Sequence, residues 1–172
     1  MSEYLVEMND ITVQFPGVLA LDHVHFDAKP GEVHVLLGEN GAGKSTIMKV
    51  LAGVNTNYQG EIIYKGEKIV ARSIDEQRER GVSIIFQELN QLKNLTVAEN
   101  IFMGRQPTKA GGQIDWKTMN RKARELLDSI HSDISEKAQV STLSVGQMQM
   151  VEIAKALSFD CDIIIMDEPT SA

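Results

Sequence analysis

The fold of this chain is decided by the stretch Val33-His34-Val35-Leu36-Leu37-Gly38-Glu39-Asn40-Gly41-Ala42-Gly43-Lys44-Ser45-Thr46. The apolar run 33–37 predicts a buried strand, and residues 45–52 predict a helix that ends at Gly53. Between them lies the pattern G-x-x-x-x-G-K-[ST]. In a strand-to-helix setting this pattern is typical of a phosphate-binding loop.

Each residue type in this loop suits a polyphosphate. Small residues let successive backbone N–H groups turn toward an anion, and the N-terminus of the following helix carries partial positive charge. Lys44 adds a charge for the β- and γ-phosphates, and the Ser45 hydroxyl can ligate Mg²⁺. The alternative is a glycine-rich turn that binds no ligand. The predicted strand before the loop, the predicted helix after it and the Lys-Ser pair at the expected position disfavour this alternative. The predicted nucleotide-binding residues here are Gly38, Glu39, Asn40, Gly41, Ala42, Gly43, Lys44, Ser45 and Thr46.

The bulk composition indicates a folded chain without a nucleic-acid surface. The 172 residues suit one domain or a large piece of one, and 42% are hydrophobic, which is enough for a core. Seventeen basic residues against 24 acidic ones give a formal charge of −7, which argues against binding to DNA or RNA. A single cysteine, Cys161, excludes an internal disulfide. We see no signal peptide or membrane-spanning run and expect a soluble chain.

The order of the predicted elements indicates an α/β fold. Residues 4–28 are rich in branched and aromatic residues and predict short strands. Further elements are predicted in chain order: a hairpin at 61–70, a short helix capped by Ser73, a buried strand at 82–86, a helix capped by Thr96 and Glu99, helices at 116–131 and 144–158, and a strand at 163–166. This order predicts a parallel core sheet with a helical insertion, and the sheet looks unfinished because few residues follow the last strand.

Two carboxylates follow the last predicted strand. Residues 163–166 are apolar, and Asp167 and Glu168 come directly after them, at the end of a strand where open α/β sheets bind ligands. Asp167 can hold Mg²⁺ beside Ser45, and Glu168 can orient and deprotonate an attacking water. The alternative is a strand that ends in two solvated acids. The upstream phosphate loop favours the metal-binding interpretation, because the metal offsets the charge of the phosphates.

The segment Leu143-Ser144-Val145-Gly146-Gln147 resembles the signature L-S-G-G-Q of the ATP-binding cassette (ABC) ATPases, with Val145 in place of the first glycine. Locally, Ser144 and Gln147 also form a capping-box pattern. The resemblance implies that Ser144, Gly146 and Gln147 contact the nucleotide of a second cassette. It also implies that Gln87 is the Q-loop glutamine, which reaches Mg²⁺ and the γ-phosphate, and that Phe15 stacks on adenine. The alternative for Phe15 is an ordinary core residue.

Within that family the chain is most similar to the simple-sugar importer ATPases of the ribose, galactose and xylose type. The similarity covers the whole chain. The stretches that resemble this group are the loop at 38–46, Phe15-Pro16-Gly17-Val18-Leu19-Ala20-Leu21, Gln87-Glu88-Leu89-Asn90, Ala98-Glu99-Asn100-Ile101-Phe102-Met103-Gly104-Arg105 and Met150-Val151-Glu152-Ile153-Ala154-Lys155-Ala156-Leu157.

The resemblance implies a P-loop NTPase fold of ABC type with an N-terminal antiparallel β-subdomain. Residues 1–172 would form one incomplete nucleotide-binding domain. Residues 1–89 would hold the β-subdomain and the first part of the ATP-binding core, 90–142 a helical subdomain, and 143–172 the signature helix and the strand before Asp167.

The function implied is hydrolysis of ATP with Mg²⁺, driving sugar import from the cytoplasmic face of the membrane. The implied partners are a second cassette, integral membrane permease subunits and, indirectly, a sugar-binding protein. Two alternatives stay open. One is a soluble ABC-type ATPase that acts on ribosomes or in DNA repair. The other is a nucleotide-binding fragment, because a core sheet that lacks later strands predicts weak or no turnover from these 172 residues alone.

Overall fold

The computed structural model describes residues 3–87 and 89–167. The strands in this part of the chain are β1 (Val6–Phe15), β2 (Val18–Ala28), β3 (Gln59–Tyr64), β4 (Glu67–Ile69), β5 (Val82–Ile85) and β6 (Ile163–Met166). The helices are α1 (Lys44–Leu51), α2 (Ile74–Glu79), α3 (Val97–Ile101), α4 (Trp116–Ser129) and α5 (Val145–Leu157), with a 3-10 turn at Val140–Thr142. The chain divides into two compact units, residues 1–83 and 84–172.

An antiparallel sheet organises the first unit. Its four strands lie in the order β2-β1-β3-β4, and the predicted hairpin at 61–70 is confirmed as β3 and β4. Strand β1 alternates buried and exposed residues, as expected for a sheet with one face on the core. Helix α1 buries Ile47, Val50 and Leu51. These residues follow helical spacing, so one apolar face of α1 adds to the core of this unit.

A β-bulge keeps the apolar residues of β1 on one face. Met8 and Ile11 are both buried although three positions separate them, which in a regular strand would place them on opposite faces. The register shifts between these two residues, and Asp10 has a φ of 61°. A Cβ on Gly60 would lie 2.5 Å from the carbonyl oxygen of Asp10. The bulge therefore fits beside β3 only because residue 60 has no side chain.

The prediction of a buried strand at residues 33–37 is wrong. The structure has no regular secondary structure there, and Val33, Val35 and Leu37 are 91%, 67% and 88% exposed. A strand requires a neighbour to accept and donate its backbone hydrogen bonds, and no strand in the described part of the chain pairs with this segment. Apolar composition alone therefore did not produce a strand.

Three helices share a core in the second unit. The buried side chains that form this core are Val97, Ala98, Ile101, Phe102, Met119, Ala123, Leu127, Ile134, Val140, Val151 and Ala154. Helix α3 begins with the predicted capping box, in which Thr96 and Glu99 satisfy each other's backbone N–H groups. Helix α5 packs against α3 and α4 in this same core, which fixes its direction within the unit.

Strands β5 and β6 form a separate two-stranded sheet. The N–H of Asp167, directly after β6, donates to the carbonyl oxygen of Ile85, the last residue of β5 (3.2 Å). The two strands therefore end at the same edge, as parallel strands do. Among residues 3–87 and 89–167, no helix combines the length and apolar composition that crossing a bilayer requires.

An exposed ion pair at the bulge gives a testable prediction. His23 Nδ1 lies 2.7 Å from Asp10 Oδ1, and the hydrogen bond and charge of Asp10 raise the pKa of His23 above 6.5. Because the folded state holds this proton more tightly, the pair stabilises the fold below the ordinary histidine pKa. That contribution is lost as the pH rises through the raised pKa. Asp10→Asn, which tolerates the same positive φ, should lower the His23 midpoint in an NMR titration. Equal midpoints in the two proteins would show that the pair does not form.

Candidate functional site

The predicted phosphate loop is an exposed turn that leads directly into α1. Its backbone is tightly curved, with a φ of 86° at Gly41 and of 84° at Gly43. The N–H of Ala42 donates to the carbonyl oxygen of Glu39 (3.2 Å). Helix α1 has no side-chain cap at Gly43 and no acidic residue in its first turn. The partial positive charge of this helix end is therefore not offset by a carboxylate of its own first turn.

The Lys44 ammonium lies inside the curve of the loop. Its Nζ donates to the carbonyl oxygens of Gly38 and Glu39, each at 2.8 Å. These bonds draw the side chain back across the loop instead of letting it extend into solvent. An ammonium has three N–H donors, so the third can point to an anion held by the loop. The arrangement combines a fixed cation with a helix N-terminus, which is the electrostatic requirement for binding phosphate.

Glycine is required at two loop positions for different reasons. A Cβ at Gly43 would lie 2.6 Å from Leu21 Cδ2 and 2.9 Å from the Ala20 carbonyl oxygen, so α1 begins in close contact with β2. Gly41 has open space around it, and only its left-handed φ favours glycine. Gly38 has neither restriction within the chain, because an added Cβ would make only ordinary contact with Ala42.

Phe15 ends β1 at the tip of the first hairpin. It pairs with Val18 across the turn, and Phe15, Val18 and Leu19 are all substantially exposed. The interpretation of Phe15 as an ordinary core residue is therefore not supported by its exposure. Its assignment to adenine stacking stays a prediction.

In the second unit, Gln87 and Asp167 lie at the same sheet edge. Asp167 is bonded through its N–H to Ile85, and Gln87 follows Ile85 by two residues. Gln87 is exposed and Asp167 is half-buried. This is the placement that the sequence predicts for two groups acting at one end of a parallel sheet. Glu168, the predicted catalytic base, lies outside the described residues.

The signature residues form the exposed start of α5. Ser144 Oγ accepts the N–H of Gln147 (3.3 Å), and Gln147 Oε1 accepts the N–H of Ser144 (2.9 Å), which completes a capping box. A Cβ on Gly146 would meet nothing within 4 Å. The chain itself therefore has no steric reason for a glycine here, where glycine weakens a helix. A group from outside the chain that approaches this backbone closely would be a steric reason for glycine at position 146.

Two residues of this unit for which the sequence predicts no role hold residues 91 and 92 against helices α5 and α3. The Gln91 side chain bonds to α5, and the buried Asn100 of α3 bonds to Leu92. The hydrogen bond of Gln91 joins positions that lie 57 residues apart, so no local sequence pattern predicts it. Each predicted site residue thus lies in one of two groups. The loop and Phe15 belong to the first unit, and Gln87, Asp167 and the start of α5 belong to the second.

The glycine-rich loop before α1 and the capped start of α5 are the features that the sequence links to the ATP-binding cassettes. The comparison with known families agrees, because residues 21–171 match the ABC transporter family. The chain belongs to this family.

Similar proteins come from several bacteria. The chain is 51% identical over its whole length to a putative ribose/galactose/methyl galactoside import ATP-binding protein of Geobacillus kaustophilus and to the xylose import ATP-binding protein XylG of Thermoanaerobacter pseudethanolicus. It is 52% identical over 98% of its length to the ribose import ATP-binding protein RbsA 1 of Rubrobacter xylanophilus. The aligned part covers 35%, 34% and 34% of these three relatives. The chain thus spans about a third of their length.

Solved cassettes share the fold. A nucleotide-free ATP-binding cassette from an ABC transporter superposes with a TM-score of 0.83 at 27% identity, covering 98% of this chain and 70% of that one. A dimeric cassette in a post-hydrolysis state with ADP and Pi superposes with a TM-score of 0.77 at 25% identity, covering 97% and 75%. The predicted ABC-type fold, with its antiparallel β-subdomain, is therefore confirmed.

The two loop glycines give a matched pair of variants. Gly43→Ala adds a side chain to a left-handed residue in contact with β2 and should lower the free energy of unfolding by about 2–4 kcal/mol. Gly41→Ala adds a side chain in open space, so only the left-handed backbone opposes it. This variant should lower the free energy of unfolding by about 1–2 kcal/mol. Urea unfolding of both variants measures the difference. Equal losses would mean that the contact between Gly43 and β2 does not limit this position.

Proposed function

We propose that the protein containing this chain hydrolyses ATP to drive import of a simple sugar, as the ATP-binding subunit of an ABC transporter. The observation that carries this proposal is the 51% identity, across the full chain, to proteins described as import ATP-binding proteins for ribose, galactose or xylose. Because the chain spans about a third of those relatives, the activity, substrate and partners are proposed for the whole protein.

ATP would bind with its phosphates on residues Gly38 to Thr46. The loop N–H groups and the start of α1 would face the anion. Lys44, which two loop carbonyl oxygens hold over the loop, would offset the charge of the β- and γ-phosphates. Phe15, exposed at the hairpin tip, would stack on the adenine ring. Lys44 would contribute to catalysis as well as binding, because negative charge shifts during phosphoryl transfer.

The oxygen donors of the predicted site fit Mg²⁺. They are the Ser45 hydroxyl, the Asp167 carboxylate and the Gln87 amide oxygen, all hard ligands. The described residues hold no group of three or more His, Cys, Asp or Glu side chains suited to a metal. Mg²⁺ is commonly held by one or two protein carboxylates together with phosphate oxygens, so such a group is not needed. When bound, the ion would neutralise phosphate charge as a Lewis acid.

Glu168 and Gln87 would act on the attacking water. Glu168 follows Asp167 directly, so the end of β6 would carry a metal-binding and a base residue side by side. Gln87, at the neighbouring strand end, would contribute to positioning the γ-phosphate and the water. Glu168, Lys44 and Gln87 are thus the proposed catalytic residues.

A second cassette would complete the site. Ser144, Gly146 and Gln147 lie at the exposed start of α5, where a helix N-terminus and an open backbone suit a phosphate of the partner's nucleotide. Val145 adds a side chain that is 43% exposed next to this surface. The solved dimeric cassette bound to ADP and Pi supports a two-cassette arrangement.

The remaining proposed partners are integral membrane permease subunits and, through them, a sugar-binding protein. The protein would then lie peripherally at the cytoplasmic face of the membrane. An ABC-type ATPase acting on ribosomes or in DNA repair is not favoured by the import names of the relatives or by the charge of −7. Co-purification of the full-length protein with a permease, compared with co-sedimentation with ribosomes, separates these functions.

Two substitutions in the full-length protein test the proposed chemistry. Lys44→Ala should abolish ATP binding, because the loop loses its fixed cation, and Glu168→Gln should retain binding while turnover falls by at least about a hundredfold. Binding is measured with a fluorescent ATP analogue and turnover by phosphate release. Normal hydrolysis by the Glu168→Gln variant would show that Glu168 is not the base.

Gly146→Ala separates stability from function. An alanine in α5 meets no atom within 4 Å and should raise the free energy of unfolding by about 0.5 kcal/mol. In the full-length protein the added methyl would obstruct the partner's nucleotide, so ATP turnover should fall. Thermal unfolding and phosphate release measure the two effects. Unchanged turnover would contradict close contact between Gly146 and the nucleotide.

A further inference from the structure

Two bulges lie opposite each other in strands β1 and β2. The residues that pair across the two strands are Met8 with Phe26, Ile11 with Val24, and Val13 with Leu21. The first interval holds one extra residue on β1, next to Asp10, and the second holds one extra residue on β2, next to His23. The two extra residues offset each other. Val13 and Leu21 therefore pair in the register that the strands would have with neither bulge.

The two bulges are stabilised in the same way from opposite strands. Asp10 and His23 both have a left-handed backbone, with φ of 61° and 51°, which Asp and His tolerate better than most residues. The N–H of His23 donates to Thr12 Oγ1 on β1 (3.1 Å). The N–H of Asp10 donates to His25 Nδ1 on β2 (3.4 Å). Each bulge therefore uses a side chain of the other strand as an acceptor.

The side chains of the two left-handed residues also bond to each other. His23 Nδ1 donates to Asp10 Oδ1 at 2.7 Å. A second carboxylate lies near the same ring, with Asp22 Oδ1 3.7 Å from His23 Nε2, but Asp22 belongs to the same strand as His23. The bond between His23 and Asp10 crosses from β2 to β1. It therefore ties one bulge to the other.

The part of β2 beside His23 is the part that meets the phosphate loop. The atoms nearest to a Cβ added at Gly43 are Leu21 Cδ2, at 2.6 Å, and the Ala20 carbonyl oxygen, at 2.9 Å. Leu21 is only 4% exposed, so its side chain belongs to the core. A further register shift follows between Leu21 and Leu19. Leu21 thus lies between two irregular positions of β2.

The register of β2 therefore determines which atoms face Gly43. Successive side chains of a strand point to opposite faces, so a shift by one residue would move Leu21 away from the core face. If either bulge were lost alone, the register at Leu21 would change by one residue. The bond between Asp10 and His23 favours the state in which both bulges are present.

We propose that Asp10 and His23 are positioning residues for the phosphate loop. They act through the contact of Leu21 with Gly43, and so on the place where α1 and Lys44 begin. This inference rests on the proposed function for ATP as the ligand. Neither residue touches the nucleotide in this scheme. The side chains of His23 and Asp10 are 69% and 62% exposed, so exchanging them leaves no cavity in the core.

The test exchanges the two residues in the full-length protein. Asp10→His and His23→Asp each break the pair while keeping a residue type that accepts a left-handed backbone, and the double variant restores the pair with its partners reversed. Each single variant should raise the Kd for a fluorescent ATP analogue about two- to fivefold, the effect of losing an exposed ion pair. The double variant should return the Kd close to that of the unsubstituted protein. Titration well below every thermal midpoint keeps unfolding out of the comparison.

His131→Asp is the matched control. His131 is exposed, has a φ of 54° and follows α4 in the second unit, so the same substitution is made there in the same backbone conformation. It should leave the Kd unchanged. Unchanged affinity in both single variants of the pair would overturn the proposal. A double variant whose loss equals the product of the two single losses would also overturn it, because the two residues would then act independently.

Hydrogen exchange without nucleotide tests the link to the loop directly. The N–H groups of Ala42 and Ile47 are hydrogen-bonded within the loop and the first turn of α1. A peptide spanning residues 39–47 should exchange faster in each single variant, and the double variant should restore the slower exchange. Equal exchange in all four proteins would overturn the inference. If the unsubstituted full-length protein binds no ATP, the proposed function fails, and this exchange comparison still decides for or against the role of Asp10 and His23.

Discussion

The close approach of α1 to β2 at Gly43 is the constraint on which the phosphate loop depends. A helix that begins so near a strand leaves no room for a side chain, and the backbone there must adopt a left-handed φ. Lys44 is the first residue of α1, so its position follows from that contact. The loop carbonyls then hold its ammonium in place. The close approach of α1 to β2 thereby determines where a positive charge lies.

A comparable dependence exists in the second unit, where polar groups position backbone segments. The capping box of Ser144 and Gln147 defines where α5 begins, and Asn100 acts as a substitute for a paired strand by bonding both backbone groups of Leu92. These interactions are small individually, at about 1 kcal/mol each. Their main contribution is specificity, because each hydrogen bond is directional and fixes which donor pairs with which acceptor. The apolar core of the three helices supplies the stability that they lack.

Much of this architecture could be predicted from sequence because it is local. The capping pairs Thr96–Glu99 and Ser144–Gln147 lie three residues apart, and the structure confirms both. The placement of Asp167 at a strand end followed from four apolar residues before it. The division into three segments and the roles of the individual site residues stay predictions, and Glu168 falls outside the described residues.

The features that could not be predicted from sequence have a common cause, because each depends on a distant part of the chain. Residues 33–37 have the composition of a buried strand, but a strand forms only where a neighbour pairs with it. The bulge at Asp10 depends on the missing side chain of Gly60, fifty residues away. The Gln91 bond joins a segment outside the helices to α5, 57 residues further along the chain. In each case the deciding partner is remote.

The exposed segment 33–37 has a further consequence for how this chain behaves in solution. It presents Val33, Val35 and Leu37 to water, and no strand among the described residues pairs with it. Exposed stretches with high β-propensity and no charge are the features through which polypeptides stack into intermolecular β-structure. In concentrated solution we therefore expect these 172 residues to self-associate through this stretch and to bind hydrophobic dyes, with the affinity for such dyes falling once a pairing strand is supplied.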